Sequence, residues 1–557
     1  MTLTGRKYRW QFDEAPAALT DDIRRAAGVS SLMAQVLASR QVASGDDAAR
    51  FLNPAEAPLP DARLLPAADQ VVERVAAAAS SGERVVVHGH DDADGVTATV
   101  ILVEALEQIG IRAGSYIPDR RTEGHGLSAR EFDYHAGAGV RLVVTVDSCV
   151  SDREAIAHGN GLGIDTIVTD HHEIPPELPA AHAIVNPKLA SSSYPYRYLA
   201  GTGVSLRVAD LLLDALRGRF APAPGGRIWY GPRWREEALA LAAVGSIADK
   251  VPMTGDNRSI VAAGLRAMPA TERPGLRALL EEARLWGREP DPDDVRESLG
   301  PIFGRVSDGR GGNEALGVLL STDPEAAREG ARALVGERAR WKDSAAAAMA
   351  SVRPLLDAAP DPDAPVIVVA LPVALDVMGY VASRIADESD RPAVVMAPRN
   401  GLLAAEARGP QGFNLVAAFH AMNELFTGYG GHPRAAGFTI EASKADAFRE
   451  RMLEYARANP PMPEPRRLDA VLPLGEAAPA IASEVDRLRP FGLGNPPATF
   501  LSPSVARDDL RDAAARGVHL STPFRPSSEP AGVVYRLRAS DGVALASIVD
   551  TVPGGRR

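Results

Sequence analysis

The chain has 557 residues, a net charge of −11 and a single cysteine, Cys149. This length corresponds to about three domains, since a domain usually holds roughly 100–200 residues. The 45% of hydrophobic residues is typical of an ordinary globular protein. One cysteine excludes intramolecular disulfides and thiolate-rich zinc sites. No apolar run reaches the roughly 20 residues of a membrane span, and the first residues lack the apolar core of a signal peptide, so we expect a cytoplasmic protein.

The charge balance argues against a uniformly basic nucleic-acid-binding surface. A basic groove remains compatible with it, because carboxylates that bind metal ions themselves add to the acidic total. Among the 61 basic residues, only five are lysines: Lys7, Lys188, Lys250, Lys342 and Lys444. Since so strong a skew is typical of a coding bias, the richness in arginine does not by itself indicate a nucleic-acid ligand.

The first part of the chain is predicted to be helical and then to alternate between strands and helices. Residues 1–80 have helical spacing at 30–42, 46–52 and 71–79, with a connector at 54–66. From Arg84 to about Asn186, four strand-like runs are separated by helical segments. This alternation predicts βαβ units and a parallel sheet.

The remainder is predicted to contain helices, a second α/β block and a small β-rich end. Residues 203–287 are mostly helical, 287–294 form a surface loop, and Asp323–Ala359 form a long helix. The second block begins at Val366–Leu371 and continues with a helix from about Met378, two strands, the glycine-rich segment 428–438 and a helix at 444–458. Residues 460–467 are a linker, and the last ninety or so residues favour a small β-barrel.

Three predicted strands each end in acidic or histidine residues. Strand 85–87 is followed by His90, Asp92 and Asp94, strand 142–146 by Asp147, and strand 166–169 by Asp170, His171 and His172. The strands of a parallel sheet have their carboxyl ends at one edge, where ligands bind in the crevice. We therefore expect these side chains to converge on one pocket.

The residue types in this pocket predict divalent metal ions. Oxygen and imidazole ligands without sulfur favour Mg²⁺ or Mn²⁺. Six candidate ligands exceed the need of one ion that also binds water and substrate, whereas two ions about 3.5–4 Å apart would use them all; the candidates are His90, Asp92, Asp94, Asp147, His171 and Asp249. Phosphoester hydrolysis is the corresponding reaction class. Each motif alone is more often a turn, a helix cap or a solvated histidine pair, but three at successive strand ends favour a site.

These segments resemble the ordered motifs of the DHH phosphoesterase superfamily, whose name-giving triplet is Asp170-His171-His172. The motifs are HDDADG (90–95), IPDRRTEGHGLS (117–128), VTVDSCVS (144–151), VTDHHEIP (168–175) and VGSIADKVP (244–252). Their order and spacing, with Asn186-Pro187, resemble the RecJ branch of single-strand-specific 5′→3′ DNA exonucleases. Further resemblance to that branch lies in FGRVSDGRGG (303–312), VMGYVASRIA (377–386), EARGPQGFNL (406–415), GYGGHPRAAGF (428–438) and RLRPFGLGNPPATF (487–500).

The resemblance implies an α/β fold with several domains. A DHH catalytic domain with a parallel sheet and an N-terminal helical segment would occupy residues 1–322. A connecting helix (323–359) would join it to a smaller α/β DHH-associated domain (360–460). Residues 461–557 would form an OB-like β-barrel.

The resemblance also implies roles for individual residues. The six candidate ligands would hold two Mn²⁺ or Mg²⁺ ions, and His172 would support the site or contact the scissile phosphate. Arg310 would contact a DNA phosphate. Arg408 and the Gly430–His432 turn would receive the DNA backbone across an interdomain cleft, since amides of a glycine-rich turn form an anion nest. The chain departs from the usual RecJ pattern at His90, where Asp is usual, and at Ser148-Cys149 and Ser307.

The resulting hypothesis is a 5′→3′ exonuclease that hydrolyses single-stranded DNA to 5′-mononucleotides in DNA repair and recombination. It would act as a monomer, with a single-strand-binding protein and a helicase as partners. An alternative is a phosphodiesterase for short oligoribonucleotides or cyclic dinucleotides, as in smaller relatives that lack the third domain. A catalytically inactive scaffold is disfavoured, because the chain keeps the acidic residues and histidines of the motifs.

Overall fold

The structure is a computed structural model that divides into two units, each described here by itself. It describes residues 1–118, 126–223, 231–303, 313–357, 364–371, 373–399, 401–462, 465–521, 524, 531–540 and 542–553. The first unit comprises Met1–Phe12, Glu337–Leu468 and Asp550–Arg557. The second unit comprises Asp13–Gly336 and Asp469–Val549.

The N-terminal residues contain the three predicted helices, and also one further helix and a hairpin that the sequence did not predict. Its elements are β1 (Thr2–Thr4), β2 (Arg9–Gln11), α1 (Ala17–Ala27), α2 (Ser31–Ser39), α3 (Gly45–Leu52) and α4 (Ala68–Ser81). The two strands are antiparallel, and three residues each is too short for a recognisable alternation of polar and apolar side chains. Ser30 and Ser44 cap α2 and α3 by accepting a hydrogen bond from a first-turn amide.

The α/β block of the second unit contains the predicted parallel sheet. Its elements are β3 (Arg84–His88), α5 (Ala93–Gln108), β4 (Gly114–Tyr116), α6 (Ala129–Gly137), β5 (Val140–Val146), α7 (Arg153–Gly161), β6 (Asp165–Thr169), β7 (Ala183–Val185) and α8 (Gly201–Leu216). The strand order is β4-β3-β5-β6-β7, and every neighbouring pair is parallel. Runs such as Leu142–Val146 are apolar because both faces of the sheet are buried.

A series of helices follows this block in the chain. They are α9 (Trp234–Ala248), α10 (Gly255–Ala267), α11 (Pro274–Glu282), α12 (Pro292–Asp294), α13 (Gly300–Phe303), α14 (Glu314–Leu320) and α15 (Pro324–Asp357). Helix α5 is almost wholly buried and packs against α8 and α9. The short α12 lies in the segment 287–294 that was predicted to be a loop. Helix α15 confirms the predicted long helix, and the boundary between the two units falls within it.

The second α/β block belongs to the first unit. It contains β8 (Ile367–Ala370), α16 (Leu375–Ser389), β9 (Ala393–Arg399), β10 (Leu402–Arg408), α17 (Leu415–His420), β11 (Phe426–His432), β12 (Ala435–Ile440) and α18 (Ala445–Ala458). The sheet order is β11-β12-β10-β9-β8, in which only the β8–β9 pair is parallel. The strand β13 (Arg466–Arg467) joins β1 and β2 in a small separate sheet.

The C-terminal residues form an open sheet. Its elements are β14 (Ala470–Val471), α19 (Pro479–Asp486), β15 (Thr499–Ser502), α20 (Arg507–Ala515), β16 (Val518–Leu520), β17 (Ala531–Ser540) and β18 (Val543–Pro553), in the strand order β14-β15-β17-β18-β16. The predicted OB-like barrel is not confirmed, because within the described ranges the edge strands β14 and β16 do not pair with each other, as closure requires. Instead, Phe500 and Tyr535 share a core with Ile23 and Met33 of the N-terminal helices, which cover the sheet.

No helix in the described part of the chain combines the length and apolar character required to cross a membrane.

Candidate metal centre

The strand order places the carboxyl ends of β3 and β5 side by side at a topological switch point. The chain leaves β3 towards β4 on one side and returns to β5 on the other side of β3. The crevice created where the connections diverge in this way is the usual ligand site of an open α/β sheet. The residues that follow β3, β5 and β6 all lie at this crevice.

The turn after β3 is shaped by the start of α5. Asp92 is the N-cap of this helix, since its Oδ1 accepts a hydrogen bond from the Gly95 amide at 3.0 Å. Its Oδ2 lies 3.1 Å from Nδ1 of His90. Gly95 is required because an added Cβ would lie 2.5 Å from Cβ of His90. His90 and Asp92 are thus held together by the helix cap itself.

Asp94 is buried in the first turn of α5 and is fixed by another helix. Its Oδ2 accepts a hydrogen bond from the Gly201 amide at 2.7 Å, and its Oδ1 accepts one from the Thr202 amide at 2.8 Å. These are the first two residues of α8, so the carboxylate sits at the positive end of that helix.

Asp147 follows β5 with a left-handed backbone conformation, φ 59°. A non-glycine residue rarely adopts this region, although Asp does so more readily than most. Its side chain is almost completely buried and packs on Gly201, where an added Cβ would lie 2.5 Å from the Cβ of Asp147. The local strain therefore directs a carboxylate into the crevice.

The triplet after β6 divides into one structural acid and two histidines that face the crevice. Asp170 is buried, and its carboxylate accepts hydrogen bonds from the Val150, His171 and His172 amides at 3.0, 2.7 and 3.0 Å. It also accepts the Nδ1–H of His172 at 2.7 Å. Asp170 therefore orients its two neighbours and is not itself directed at a ligand.

The side chains from these separate segments meet closely enough to hold metal ions. Nε2 of His171 lies 3.0 Å from Asp147, 3.7 Å from Asp249 and 3.8 Å from Asp94. Ligand atoms lie within 4.8 Å of one another in three overlapping groups: His90, Asp92 and Asp147; Asp94, His171 and Asp249; and Asp147, His171 and His172. The first two groups together contain all six predicted ligands.

A buried ring nitrogen without a hydrogen bond indicates that these residues fit a divalent cation. Nε2 of His171 is buried and makes no hydrogen bond in the described structure. A buried polar atom without a partner is costly unless something coordinates it. The surrounding donors are carboxylates and imidazoles, which are the ligands that Mn²⁺ and Mg²⁺ accept.

The pKa values of the ligands reflect the crowding of like charges. Burial, and then the charges of neighbouring acids, raise the pKa of Asp94 and that of Asp147 well above their usual range. Burial and Asp92 raise the pKa of Asp249 to about 6. Burial lowers the pKa of His171 to about 4, with a smaller contribution in the same direction from Lys188. Cations in the crevice would relieve this repulsion.

The pKa values of Asp170 and His172 are shifted in opposite directions. The hydrogen bond to Asp170 raises the pKa of His172. Burial acts to raise the pKa of Asp170, but the hydrogen bonds from His172 and the charges of His172 and His171 together outweigh it, and the pKa is lowered. The raised pKa favours the protonated form of His172 beside the crevice, where its side chain is 56% exposed.

The predicted DNA-binding residues are not part of this cluster. Arg310 lies outside the described residues. Arg408 ends β10, where its guanidinium pairs with Glu406 at 2.8 Å and packs over Gly379 of α16. Gly430–His432 are not the predicted turn but the end of the edge strand β11, because Gly430 pairs with Gly437 and His432 with Ala435.

The register nevertheless groups these residues within the first unit. Arg408 lies opposite Ala435, which lies opposite His432 on its other side. Since neighbouring strands are about 4.8 Å apart, Arg408 and His432 lie at the same end of the sheet, about 10 Å from each other.

Sequence reasoning missed the residues that orient the ligands. Gly201 and Thr202 bind Asp94, and Gly245 leaves room for Asp94, since a Cβ there would approach its Oδ1 to 2.8 Å. The small residues at the start of α8 were a signal of close packing, but their partner is about a hundred residues away in sequence.

Comparison with known proteins supports the motif assignments. Residues 84–222 match the family model described as the DHH family, N-terminal domain, and residues 363–458 match the DHHA1 domain. All predicted ligands except Asp249 lie within the first of these matches.

Relatives with curated names match most of the chain. The single-stranded-DNA-specific exonuclease RecJ of Bacillus subtilis is 29% identical over 531 residues, which are 94% of this chain and 65% of that protein. The protein of the same name from Escherichia coli is 32% identical over 451 residues, which are 76% of this chain and 74% of that protein.

A solved structure extends the similarity to the fold. The crystal structure of RecJ in complex with Mn²⁺ from Thermus thermophilus has a TM-score of 0.77 and 26% identity, and the match covers 97% of this chain and 79% of that one. The structure of that protein with Mg²⁺ has a TM-score of 0.71. The sequence motifs, the sheet and the relatives agree: the chain belongs to the RecJ family of exonucleases.

Proposed function

We propose that the chain is a metal-dependent 5′→3′ exonuclease that hydrolyses single-stranded DNA to 5′-mononucleotides in DNA repair and recombination. The observation that carries the proposal is the meeting of four acids and two histidines, from separate segments of the chain, at one edge of the parallel sheet. The named relatives are single-stranded-DNA-specific exonucleases, and RecJ of Thermus thermophilus was solved with Mn²⁺ and with Mg²⁺.

Two divalent ions would be held by His90, Asp92, Asp94, Asp147, His171 and Asp249. When bound, such ions neutralise charge on phosphate oxygens and lower the pKa of a water molecule. The protein contributes a fixed geometry. Asp92 is held as the N-cap of α5, and Asp94 is held by the first two amides of α8. Asp147 is held by its left-handed backbone conformation.

His172 is proposed to act on the substrate through Nε2. Because Asp170 holds Nδ1, the opposite ring nitrogen is the one left to face the crevice. In the hydrolysis, a water oxygen forms a new bond to phosphorus while the bond from phosphorus to O3′ breaks. The protonated ring can donate a hydrogen bond to a phosphate oxygen or a proton to the departing O3′.

Substrate binding is proposed for cations and amides that are not metal ligands. Arg408 and the strand end Gly430–His432 offer a guanidinium, an imidazole and edge-strand backbone groups for a phosphate backbone, and Arg310 is proposed as a further phosphate contact. We also propose that the open C-terminal sheet guides the single strand as an OB-like domain does. We keep as predictions the domain boundaries, the monomeric state and the cytoplasmic location. The same holds for the two partners, a single-strand-binding protein and a helicase.

The test is a time course on single strands that carry a label on the 5′ phosphate, incubated with Mn²⁺. The expected result is labelled mononucleotide from the earliest time points, with little cleavage of the matched duplex and none in the presence of a chelator. A strand labelled at its 3′ end should keep its label until late in the reaction. Release of no mononucleotide, release from the 3′ end first, or a preference for two- to five-residue RNA would contradict the proposal.

A further inference from the structure

Lys188 occupies a turn that is tied directly to the DHH triplet. The side-chain amide of Asn186 donates a hydrogen bond to the His172 carbonyl at 3.0 Å, and its oxygen accepts one from the Lys188 amide at 2.9 Å. The guanidinium of Arg197 donates to the Lys188 carbonyl. The backbone of Lys188 is therefore fixed relative to the two histidines of the triplet, His171 and His172.

The ammonium group of Lys188 has only a weakly held partner. Its Nζ lies 2.8 Å from Oε1 of Glu173, the residue that follows His172. The Glu173 side chain is 90% exposed, whereas that of Lys188 is 20% exposed. Ion pairs with a solvated carboxylate are worth little, so Glu173 can be exchanged for another anion at small cost.

The charge of Lys188 lies close to the metal ligands. Burial is the main cause of the shifted pKa values of His171 and Asp249. The positive charge of Lys188 acts to lower both pKa values, so it adds to the shift of His171 and opposes the shift of Asp249. An ammonium group in this position is not balanced by the ligand set, since the four carboxylates would be neutralised by two divalent ions. A phosphate of the substrate would bring negative charge next to the ammonium group. More negative charge develops on the phosphate oxygens as phosphorus gains its fifth oxygen.

The identity of the residue is itself informative. Lys188 is one of only five lysines among 61 basic residues, in a chain where arginine is the ordinary cation. An ammonium is a compact point charge, which suits contact with a single phosphate oxygen more than a planar guanidinium fork does.

We propose that Lys188 is a substrate-binding residue whose ammonium group leaves Glu173 and donates to a phosphate oxygen of the DNA strand at the metal centre. This inference rests on the proposed nuclease function. The phosphate is either the scissile phosphodiester or the phosphate at the 5′ end, which share this chemistry.

The test compares Lys188→Met and Lys188→Arg with the unchanged protein on 5′-phosphorylated and 5′-hydroxyl single strands. Loss of a charge-assisted hydrogen bond should lower kcat/KM of Lys188→Met by about 10–100-fold, and Lys188→Arg should restore much of it. Equal losses on both strands assign the contact to the scissile phosphate, and a loss confined to the phosphorylated strand assigns it to the 5′ end. Glu173→Gln should keep or improve KM, because it frees the ammonium group.

The control is Lys444→Met, which removes another partly exposed lysine paired with a glutamate, Glu441, at 3.7 Å. Mn²⁺ affinity, measured by calorimetry, should be unchanged within about twofold in Lys188→Met, since the ammonium group is not a metal ligand. Unchanged kinetics on both strands, or a loss of Mn²⁺ affinity that accounts for the lost activity, would overturn the inference.

A separate binding measurement keeps the inference distinct from the nuclease proposal. Fluorescence anisotropy of a labelled single strand, with Ca²⁺ in place of Mn²⁺, should show weaker binding by Lys188→Met even if no cleavage is found in the unchanged protein. Absence of cleavage by the unchanged protein would overturn the proposed function, whereas equal DNA affinity of the two proteins would overturn the role of Lys188.

Discussion

Asp147 combines an unfavourable backbone conformation with burial among other acids. Its φ of 59° costs free energy, so the contacts with Gly201 must hold the backbone in this conformation. Its carboxyl group has a raised pKa because burial and the charges of Asp94 and Asp92 disfavour the ionised form. Such an arrangement opposes folding in the absence of cations and is relieved when they bind.

Replacement of Asp147 by Asn is therefore expected to separate activity from stability. Asp147→Asn removes a ligand but keeps a residue that tolerates the left-handed region, so the metal-free protein should be as stable as the unchanged one or more so. Activity with Mn²⁺ should fall by more than about 100-fold, since even partners outside the ligand set are worth about 10–100-fold. His171→Ala should show a similar loss of activity with its fold retained, as judged by circular dichroism.

The matched control is Glu154→Gln, which removes an exposed carboxylate from α7. It should leave both kcat and the melting temperature unchanged. Activity in Asp147→Asn comparable to that of this control would show that Asp147 is not a ligand.

The raised pKa values predict how metal stabilisation depends on pH. The raised pKa values of Asp94, Asp147 and Asp249 make these acids bind more protons in the metal-free folded state than in the unfolded state. For Asp249 the window runs from about pH 4, the ordinary pKa of Asp, to about pH 6, and His171 acts in the opposite direction because its pKa is lowered to about 4. The stabilisation that these acids give to the metal-free folded state is therefore present at low pH and is lost as the pH rises through this window. Because bound cations require ionised ligands, the rise in melting temperature on adding Mg²⁺ should grow from about pH 5 to about pH 7.5. A rise that stays constant or shrinks would contradict the pKa assignments.

Individual ligands were predictable from the sequence, but their supports were not. His90, Asp92, Asp94, Asp147 and His171 follow apolar strand runs, and the rule for parallel sheets places such residues together. The amides of Gly201 and Thr202 that hold Asp94 carry no side-chain signature, since any residue except proline has an amide N–H. Only the three-dimensional approach of α8 to α5 makes them part of the site.

At the scale of elements, the start of α8 acts as the support of two ligands. Gly201→Ala would place a Cβ 2.5 Å from the Cβ of Asp147, at the residue whose amide also binds Asp94. We expect this variant to lose metal affinity, measured by calorimetry, by more than about tenfold, because supports of ligands are worth at least this much.

Gly203→Ala provides the comparison within the same helix. The nearest atom to its added Cβ would be the flexible end of Leu199 at 3.3 Å, and the contacts with Cβ of Leu199 at 3.5 Å and Cδ1 of Ile260 at 3.8 Å are ordinary van der Waals distances. Alanine also favours the helix by about 1 kcal/mol over glycine. Metal affinity should therefore be close to that of the unchanged protein. Equal effects of the two substitutions would show that helix α8 does not position the ligands through Gly201.

The glycine-rich segment shows where local sequence reasoning fails. Three glycines and a following proline in residues 428–433 are typical of a turn, and a turn was predicted. The structure continues β11 through Gly430 to His432 because pairing with β12 supplies hydrogen bonds that the local sequence does not reveal. Gly431 alone requires glycine for its backbone, with φ 135°.

At the scale of the whole molecule, two segments that are far apart in sequence, within Asp13–Gly336 and Asp469–Val549, complete the second unit. Helices α1–α3 and the C-terminal sheet share one core, although Met33 and Phe500 are far apart in sequence. A pattern of apolar residues indicates that an element has a buried face but not what covers it, so the sequence led to a self-contained barrel. The parallel sheet was predictable because its contacts join neighbouring βαβ units.

Arg258 of α10 links these distant segments and gives a test of their coupling. Its guanidinium donates to the carbonyls of Phe51, Leu488, Arg489 and Pro490 at 2.7–3.3 Å and stacks on the Phe51 ring at 4.1 Å. Arg258→Met should lower the free energy of unfolding by about 3 kcal/mol or more, because it leaves several buried carbonyls unpaired. Urea unfolding followed by circular dichroism measures this.

Arg266→Met on the same helix is the control. Arg266 is exposed and pairs with Glu56 at 3.5 Å, so its loss should change the free energy of unfolding by no more than about 0.5 kcal/mol. If the two substitutions are equally mild, the N-terminal helices and the C-terminal sheet do not depend on Arg258 for their attachment.

The central claim is that the ends of β3, β5 and β6, with the end of α9, clamp a pair of divalent cations. Anomalous scattering from a crystal soaked in Mn²⁺ tests this most directly. The account predicts two peaks about 3.5–4 Å apart, both within ligand distance of His90, Asp92, Asp94, Asp147, His171 and Asp249. A crystal with no peak among these side chains, or with manganese bound only elsewhere, would contradict it.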